Sequence, residues 1–153
     1  QQGFIPMGEM GYHIAIGSGT SHNQRGDEVL KQDVKNYRQA WLDSKNVGNS
    51  RVMIRIGAYV SPTRADFLRK MEAGIQETNK RRAARGLPVR ESSASDPTAN
   101  LYGTPEEVVD RIHELREDFG MDGFMCGMQG GLTREEQLQC LRLFADKVIP
   151  EFN

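Results

Sequence analysis

Glycine and small hydroxyl residues crowd into one short stretch of this chain, Gly17-Ser18-Gly19-Thr20-Ser21. That composition suits one kind of chemistry, since successive backbone N–H groups and hydroxyls can cradle a phosphate. The stretch lacks the Gly-x-x-x-x-Gly-Lys-Ser/Thr order of a nucleotide loop, and more loop follows before the next helix. An ordinary surface turn therefore competes with phosphate contact, and Gly17 and Ser18 stand as the cofactor-binding candidates. The two thiols, Cys126 in an apolar run and Cys140 on a helix face, read as buried and free. Nothing beside Cys126 in sequence would lower its pKa and make it a nucleophile. The chain has three His and no close Cys/His pairing, so no metal site is expected. His13 falls inside an apolar segment, where a hydrogen-bonded core role competes with substrate contact. Arg55 points off a strand face, where its charge needs a partner, and a structural ion pair is expected. Gly130-Gly131 reads as the turn into the next helix. No catalytic residue can be named from these patterns.

The elements that must position these residues alternate between strand and helix. Gly11 to Ile16 is short, apolar and glycine-bounded, as a buried strand would be, with Gly3 to Met7 as a competing strand. A helix is expected from Asp27 to Asp43, since Leu30, Val34, Tyr37 and Trp41 form one apolar stripe. Val52 to Val60 is the clearest strand. Val52, Ile54, Ile56, Ala58 and Val60 share one face, and Met53, Arg55, Gly57 and Tyr59 the other. Ser61-Pro62-Thr63 opens a helix with Phe67, Leu68, Met71 and Ile75 on one face, and Gly86 and Pro88 stop it. Residues 89–102 read as a mobile polar loop. Thr104-Pro105-Glu106-Glu107 is a capping box ahead of the stripe Val108, Ile112, Leu115 and Phe119. Thr133-Arg134-Glu135-Glu136 repeats the device ahead of Leu138, Leu141, Ala145 and Val148. Gly123 to Met128, between these helices, reads as a buried strand.

Such alternation predicts an α/β fold, a parallel sheet with covering helices. Three strands are secure and a closed (β/α)8 barrel needs eight, so the pattern fits either a small open domain or part of a barrel. Charge narrows the function classes. The 153 residues carry 20 Lys plus Arg and 21 Asp plus Glu, a net charge of −1, which gives no case for nucleic acid or an anionic membrane. The basic run Lys80-Arg81-Arg82-Ala83-Ala84-Arg85 reads as a solvated helix end. No apolar run approaches the roughly 20 residues of a membrane span, and Gln1-Gln2-Gly3-Phe4 does not resemble a signal peptide. The chain does not begin with Met, so its start is expected to be processed or to lie upstream. A reducing, cytoplasmic setting is expected.

Three segments in order carry a family resemblance: Gly103-Thr104-Pro105-Glu106-Glu107-Val108, then Phe119-Gly120-Met121-Asp122-Gly123-Phe124, then Leu143-Phe144-Ala145-Asp146-Lys147-Val148-Ile149-Pro150. Together they resemble the tail of the luciferase-like, flavin-dependent monooxygenases. Val52 to Val60 followed by Ser-Pro-Thr resembles that family's seventh barrel strand, and Tyr37 to Trp41 the helix before it. The resemblance implies that residues 1–153 form the C-terminal part of a TIM-type (β/α)8 barrel, from about strand six to helix eight. It implies oxidation of a small organic substrate with reduced FMN and O2. A deazaflavin (F420) enzyme transferring hydride is the alternative within the superfamily, and a non-catalytic half-barrel that binds a partner is the alternative outside it. It also implies that most flavin-holding positions precede Gln1, so the isolated chain is expected to be inactive. The expected partner is the missing N-terminal half of the barrel or another copy of the chain. Barrel chemistry sits at the C-terminal ends of strands. This makes Ser61, Tyr102, Cys126 and Gln129 the substrate or lid candidates, in a family where the segment after strand seven can cover the flavin.

Overall fold

The structure, a computed structural model, describes residues 3–17, 27–88, 100–128 and 132–152. Its elements in chain order are α1 (Phe4–Glu9), β1 (Ile14–Gly17), α2 (Asp27–Asp43), β2 (Val52–Val60), α3 (Arg64–Ala83), β3 (Leu101–Gly103), α4 (Pro105–Glu117), β4 (Gly123–Met128) and α5 (Arg134–Lys147), with a closing 3₁₀ turn at Ile149–Phe152. The four strands form one sheet in which β1, β3 and β4 all pair with β2. β1 runs parallel to the first half of β2, with Ile14 beside Val52 and Gly17 beside Arg55. β3 runs parallel to its last residues, with Ala58 beside Leu101 and Val60 beside Gly103. This is the α/β architecture with parallel strands that the sequence predicts.

The chain divides into two compact units, Gln1–Ile56 with His113–Cys126, and Gly57–Ile112 with Gly127–Asn153. In the first unit the α2 stripe Leu30, Val34, Tyr37 and Trp41 is buried, as are Val52, Ile54 and Ile56 of β2. The Tyr37 hydroxyl donates to the Tyr12 carbonyl at 3.0 Å. The Trp41 indole N–H donates to the Gly48 carbonyl at 3.1 Å, so both rings are buried with their polar ends satisfied. Arg38 binds Asp122 at 2.8 Å and also donates to the Gly120 carbonyl. Asp122 in turn accepts the Val52 N–H at 2.7 Å. One carboxylate therefore fixes the starts of β2 and β4, which gives the Gly-hydrophobic-Asp pattern a structural purpose.

Gly3 to Met7, the competing strand, is instead the start of α1. Gly8 explains the helix: it lies against the α2 backbone, and a Cβ there would collide with the Tyr37 carbonyl oxygen. Close helix packing thus overrides the extended bias that Pro6 suggests. β1 begins at Ile14, so Tyr12 and His13 precede it. His13 is exposed, stacks on Trp41 at 5.1 Å between ring centroids, and accepts the Arg51 N–H at Nδ1. It is not the core histidine expected.

In the second unit Thr63 caps α3, its side chain accepting the Asp66 N–H. Phe67 and Met71 are buried, whereas Leu68 is exposed and Ile75 half-buried. Positive φ at Gly86 follows the helix end, matching the stop signal. The expected loop over 89–102 is described only at its end, where Leu101 and Tyr102 lie in β3 and are buried. Both capping boxes form. Glu107 Oε2 accepts the Thr104 N–H at 2.8 Å and Thr104 Oγ1 accepts the Glu107 N–H; Thr133 and Glu136 do the same. Behind the first box Val108, Ile112, Leu115 and Phe119 are all buried. Behind the second, Val148 is buried as expected, but Leu138, Leu141 and Ala145 are exposed, and α5 buries Cys140 instead. β4 also departs from expectation, since none of its residues is fully buried. Met125, Cys126 and Gly127 are exposed, whereas a strand in a sheet covered by helices on both faces would be buried.

Candidate functional site

The described residues form two constellations, one in each unit. The first gathers at the end of β2 in the second unit. Ser61 is fully buried, and its hydroxyl donates to Asp66 Oδ2 at 2.6 Å. Lys70, one helical turn further along α3, reaches the same oxygen at 3.1 Å. Its ammonium also meets the buried Tyr59 phenol. Cys140 of α5 closes the group by accepting the Val60 N–H at 3.2 Å.

The electrostatics follow from these contacts. The Ser61 hydrogen bond, opposed by burial and joined by bonds from Arg69 and Lys70, holds Asp66 down at about 2. Burial alone would lower the Lys70 pKa, but hydrogen bonds to Asp66 and Tyr59 outweigh it and the net direction is upward. Burial raises Tyr59 despite Lys70 beside it, and burial raises Cys140. At neutral pH the group is therefore a carboxylate, an ammonium, a neutral phenol and a thiol. None of these is poised to exchange a proton near pH 7, so the arrangement acts as a polar clamp on the strand end rather than as an acid–base pair.

The same unit holds Tyr102 over β2. Its hydroxyl and the Asn100 carboxamide crowd Gly57, where a Cβ would meet them at 2.6 and 2.7 Å. Asn100 Oδ1 accepts the Gly57 N–H at 3.2 Å. Glycine at this position is what lets β3 dock.

The second constellation is the open face of the sheet in the first unit. Parallel register puts Ala15 and Gly17 on the same side as Met53 and Arg55. Gly123 joins them, because a Cβ there would touch the Met53 side chain at 3.4 Å. Met125, two residues along β4, shares that side. Met53 is 37% and Met125 50% exposed. Arg55 is exposed as well, and the expected ion pair is not made: it has no hydrogen bond or salt bridge among the described residues. An apolar strand pair leaves nothing to offset the guanidinium.

The sequence-selected residues are therefore scattered. Gly17 lies at the end of β1 on the open face. Ser61 is buried in the clamp and Tyr102 lies over Gly57. Cys126 is exposed on β4, correcting the expectation of a buried thiol, whereas Cys140 is buried as expected. Cys126 follows Met125 on β4 and therefore points to the opposite side of the strand, where it is exposed as well. Ser18 and Gln129 lie outside the described residues. Sequence reasoning missed Asp66, Lys70 and Tyr59. The Asp66/Lys70 spacing of four on a helix was the available signal.

A flavin needs its phosphate charge offset and its ring shielded from water. The open face offers one apolar wall suited to a ring. At the end of β2, Lys70 is held by Asp66 and Arg64 by Glu107 at 3.2 Å, and neither is placed to take a phosphate. Among the described residues the chain supplies part of a flavin site and not the whole. No group of three or more metal-ligating side chains occurs among them, and no helix among them is long and apolar enough to cross a membrane.

Comparison with known proteins bears out the resemblance read from the sequence. No family model matches the chain. An alkanal monooxygenase alpha chain from Aliivibrio fischeri is 24% identical over 127 residues, covering 83% of this chain and 32% of that protein. The monooxygenase RslO1 of Streptomyces bottropensis superposes with a TM-score of 0.75 at 20% identity, over 99% of this chain and 45% of its own. The oxygenating constituent of 3,6-diketocamphane monooxygenase from Pseudomonas putida, a type II Baeyer–Villiger monooxygenase solved with FMN, gives 0.68 at 17% identity over 98% and 45%. The fold is that of part of a luciferase-like monooxygenase barrel. The chain spans about a third of the curated relative and under half of these solved structures.

Proposed function

We propose that the chain forms the C-terminal part of a flavin-dependent monooxygenase of the luciferase-like kind, one that oxidises a small organic substrate with reduced FMN and O2. The observation that carries this reading is the superposition of nearly the whole chain on under half of a monooxygenase barrel. The bound flavin supplies the redox chemistry. This chain's own contribution is structural and electrostatic. The Ser61–Asp66–Lys70 clamp fixes the end of β2, Asn100 and Tyr102 cover Gly57, and the Met53/Met125 face forms one wall from which water must be excluded.

The open face and the half-exposed β4 also support a partner, either the strands that would complete a barrel or a second copy. The test is a titration of FMN into the chain followed by flavin fluorescence, repeated with a segment carrying the remaining strands. Little change is expected in the first step, and protection of the ring in the second. Micromolar FMN binding by the chain alone would overturn the view that it holds only part of the site. Repeating the titration with a deazaflavin decides between oxygen insertion and hydride transfer as the parent chemistry. Absence of both cofactors from the completed assembly would leave a partner-binding module.

A further inference from the structure

His13 accepts the Arg51 N–H at Nδ1, at 3.3 Å, and its ring lies on Trp41 with the centroids 5.1 Å apart and the planes 12° from parallel. That hydrogen bond falls inside a stretch of backbone that side chains hold residue by residue. Arg38 donates to the Ser50 carbonyl at 3.1 Å. Tyr37 donates to the Arg51 carbonyl at 3.4 Å, and the same carbonyl accepts the Ile14 N–H at 3.1 Å. Asp122 accepts the Val52 N–H at 2.7 Å. This is the junction of β1 and β2, since Ile14 and Val52 are the first pair of their ladder. Of the side-chain types gathered there, histidine is the one that changes charge between about pH 5 and pH 8. A ring that accepts at Nδ1 is neutral and carries its proton on Nε2. Protonation makes both nitrogens donors, so Nδ1–H would face the Arg51 N–H and the bond would be lost. The stack works in the other direction, because the face of an indole attracts a cation.

We propose that His13 is a proton-operated latch on the start of β2. Neutral, it holds the Arg51 amide; charged, it stays on Trp41 and lets that amide go, which loosens the β1–β2 junction at its first pair. The titratable and charged groups on the elements around it are Glu9 of α1, Tyr37, Arg38 and Asp43 of α2, Lys45 beyond that helix, Arg51 itself and Asp122 ahead of β4. Arg38 and Asp122 bind each other at 2.8 Å, Asp43 accepts from Gln39, and Tyr37 is engaged with the Tyr12 and Arg51 carbonyls. None of the acids among the described residues forms an ion pair with His13, so no carboxylate fixes the ring in its charged form. The latch lies within the first unit and stands independently of the flavin reading.

The experiment follows the isotope-labelled 153-residue chain by NMR from about pH 8 to about pH 5. At the upper end the imidazole nitrogen shifts should show Nε2 protonated and Nδ1 bare. As His13 titrates, the Arg51 amide resonance should move with the same midpoint. Its hydrogen exchange, corrected for the intrinsic effect of pH, should quicken about fivefold, the scale of one lost hydrogen bond. Trp41 is the single tryptophan of the chain, so its emission should change at that midpoint as well. His13→Asn, whose Oδ1 accepts without titrating, should keep the Arg51 amide protected and abolish the step. His13→Phe keeps a ring on Trp41 and should leave that amide exchanging quickly at every pH. A proton on Nδ1 at the upper end, an Arg51 amide indifferent to the His13 titration, or a step that survives His13→Asn would each overturn the proposal. The first two results are read on the unsubstituted chain and decide the matter even where a variant fails to fold.

Discussion

Helices α4 and α5 begin with the same device and end in different surroundings. Each opens with a Thr-x-x-Glu capping box whose reciprocal hydrogen bonds form. Each carries leucine at helical spacing behind it. Yet Leu115 of α4 is fully buried, while Leu141 of α5 is 52% exposed. The cap is a local contract between residues three apart, and it holds wherever the helix is placed. Burial is decided by what lies opposite, and α5 offers two apolar sides. Cys140, Phe144 and Val148 lie on one, and Leu138, Leu141 and Ala145 on the other. The first is turned inward.

The largest break in this comparison should come from the cores. Leu115→Ala should cost about 2–5 kcal/mol in urea denaturation, and Leu141→Ala should stay within about 0.5 kcal/mol, as for a surface change. Equal losses would mean that the exposed stripe of α5 is covered in solution, which is itself a measure of association.

The caps should behave alike where the cores do not. Thr104→Ala and Thr133→Ala should each cost about 1 kcal/mol, read from the shift of the denaturation midpoint. A loss at α4 only would show that α5 frays regardless of its cap.

A smaller effect sharpens the cap chemistry itself. The Thr133 backbone N–H, ahead of other contributions, lowers the Glu136 pKa. A carboxyl whose folded pKa is depressed stabilises above its unfolded value and loses that contribution as pH falls through its folded value. The Glu136 cap is therefore intact at neutral pH and weakens as pH falls through its depressed pKa, below the ordinary carboxylate range. Carbon-detected titration should show Glu136 moving upward in Thr133→Gly, whose mobile backbone no longer holds the N–H in place. An unmoved titration would assign the shift to another source. Asp66 provides the contrast. Its pKa of about 2 depends first on the Ser61 hydroxyl, so Ser61→Ala should raise it and bring acid unfolding to a higher pH.

These contrasts also explain what could be read without coordinates. The β2 alternation and the α2 and α4 stripes were legible because one periodic pattern faces one core. The caps were legible because their chemistry is confined to four residues. The α1 helix was not, since its reason lies in Gly8 meeting a carbonyl on α2, far along the chain. The clamp was half legible. Asp66 and Lys70 announce themselves on a helix, but Ser61, Tyr59 and Cys140 join them only through the tertiary fold. Arg55 was visible as a charge in a strand. That it would stand without a carboxylate could not be known until the neighbouring strands were placed.

The thiol that receives the Val60 N–H has a consequence for kinetics. Cys140 is buried, with a pKa raised by that burial, while Cys126 is exposed on β4. A thiol reagent should therefore modify Cys126 at the rate of an accessible cysteine, and Cys140 only when α5 lifts from the strand. The two sulfurs make an internal stopwatch. The lag between the first and second labelling events times the opening of one helix in the native protein, with no probe added.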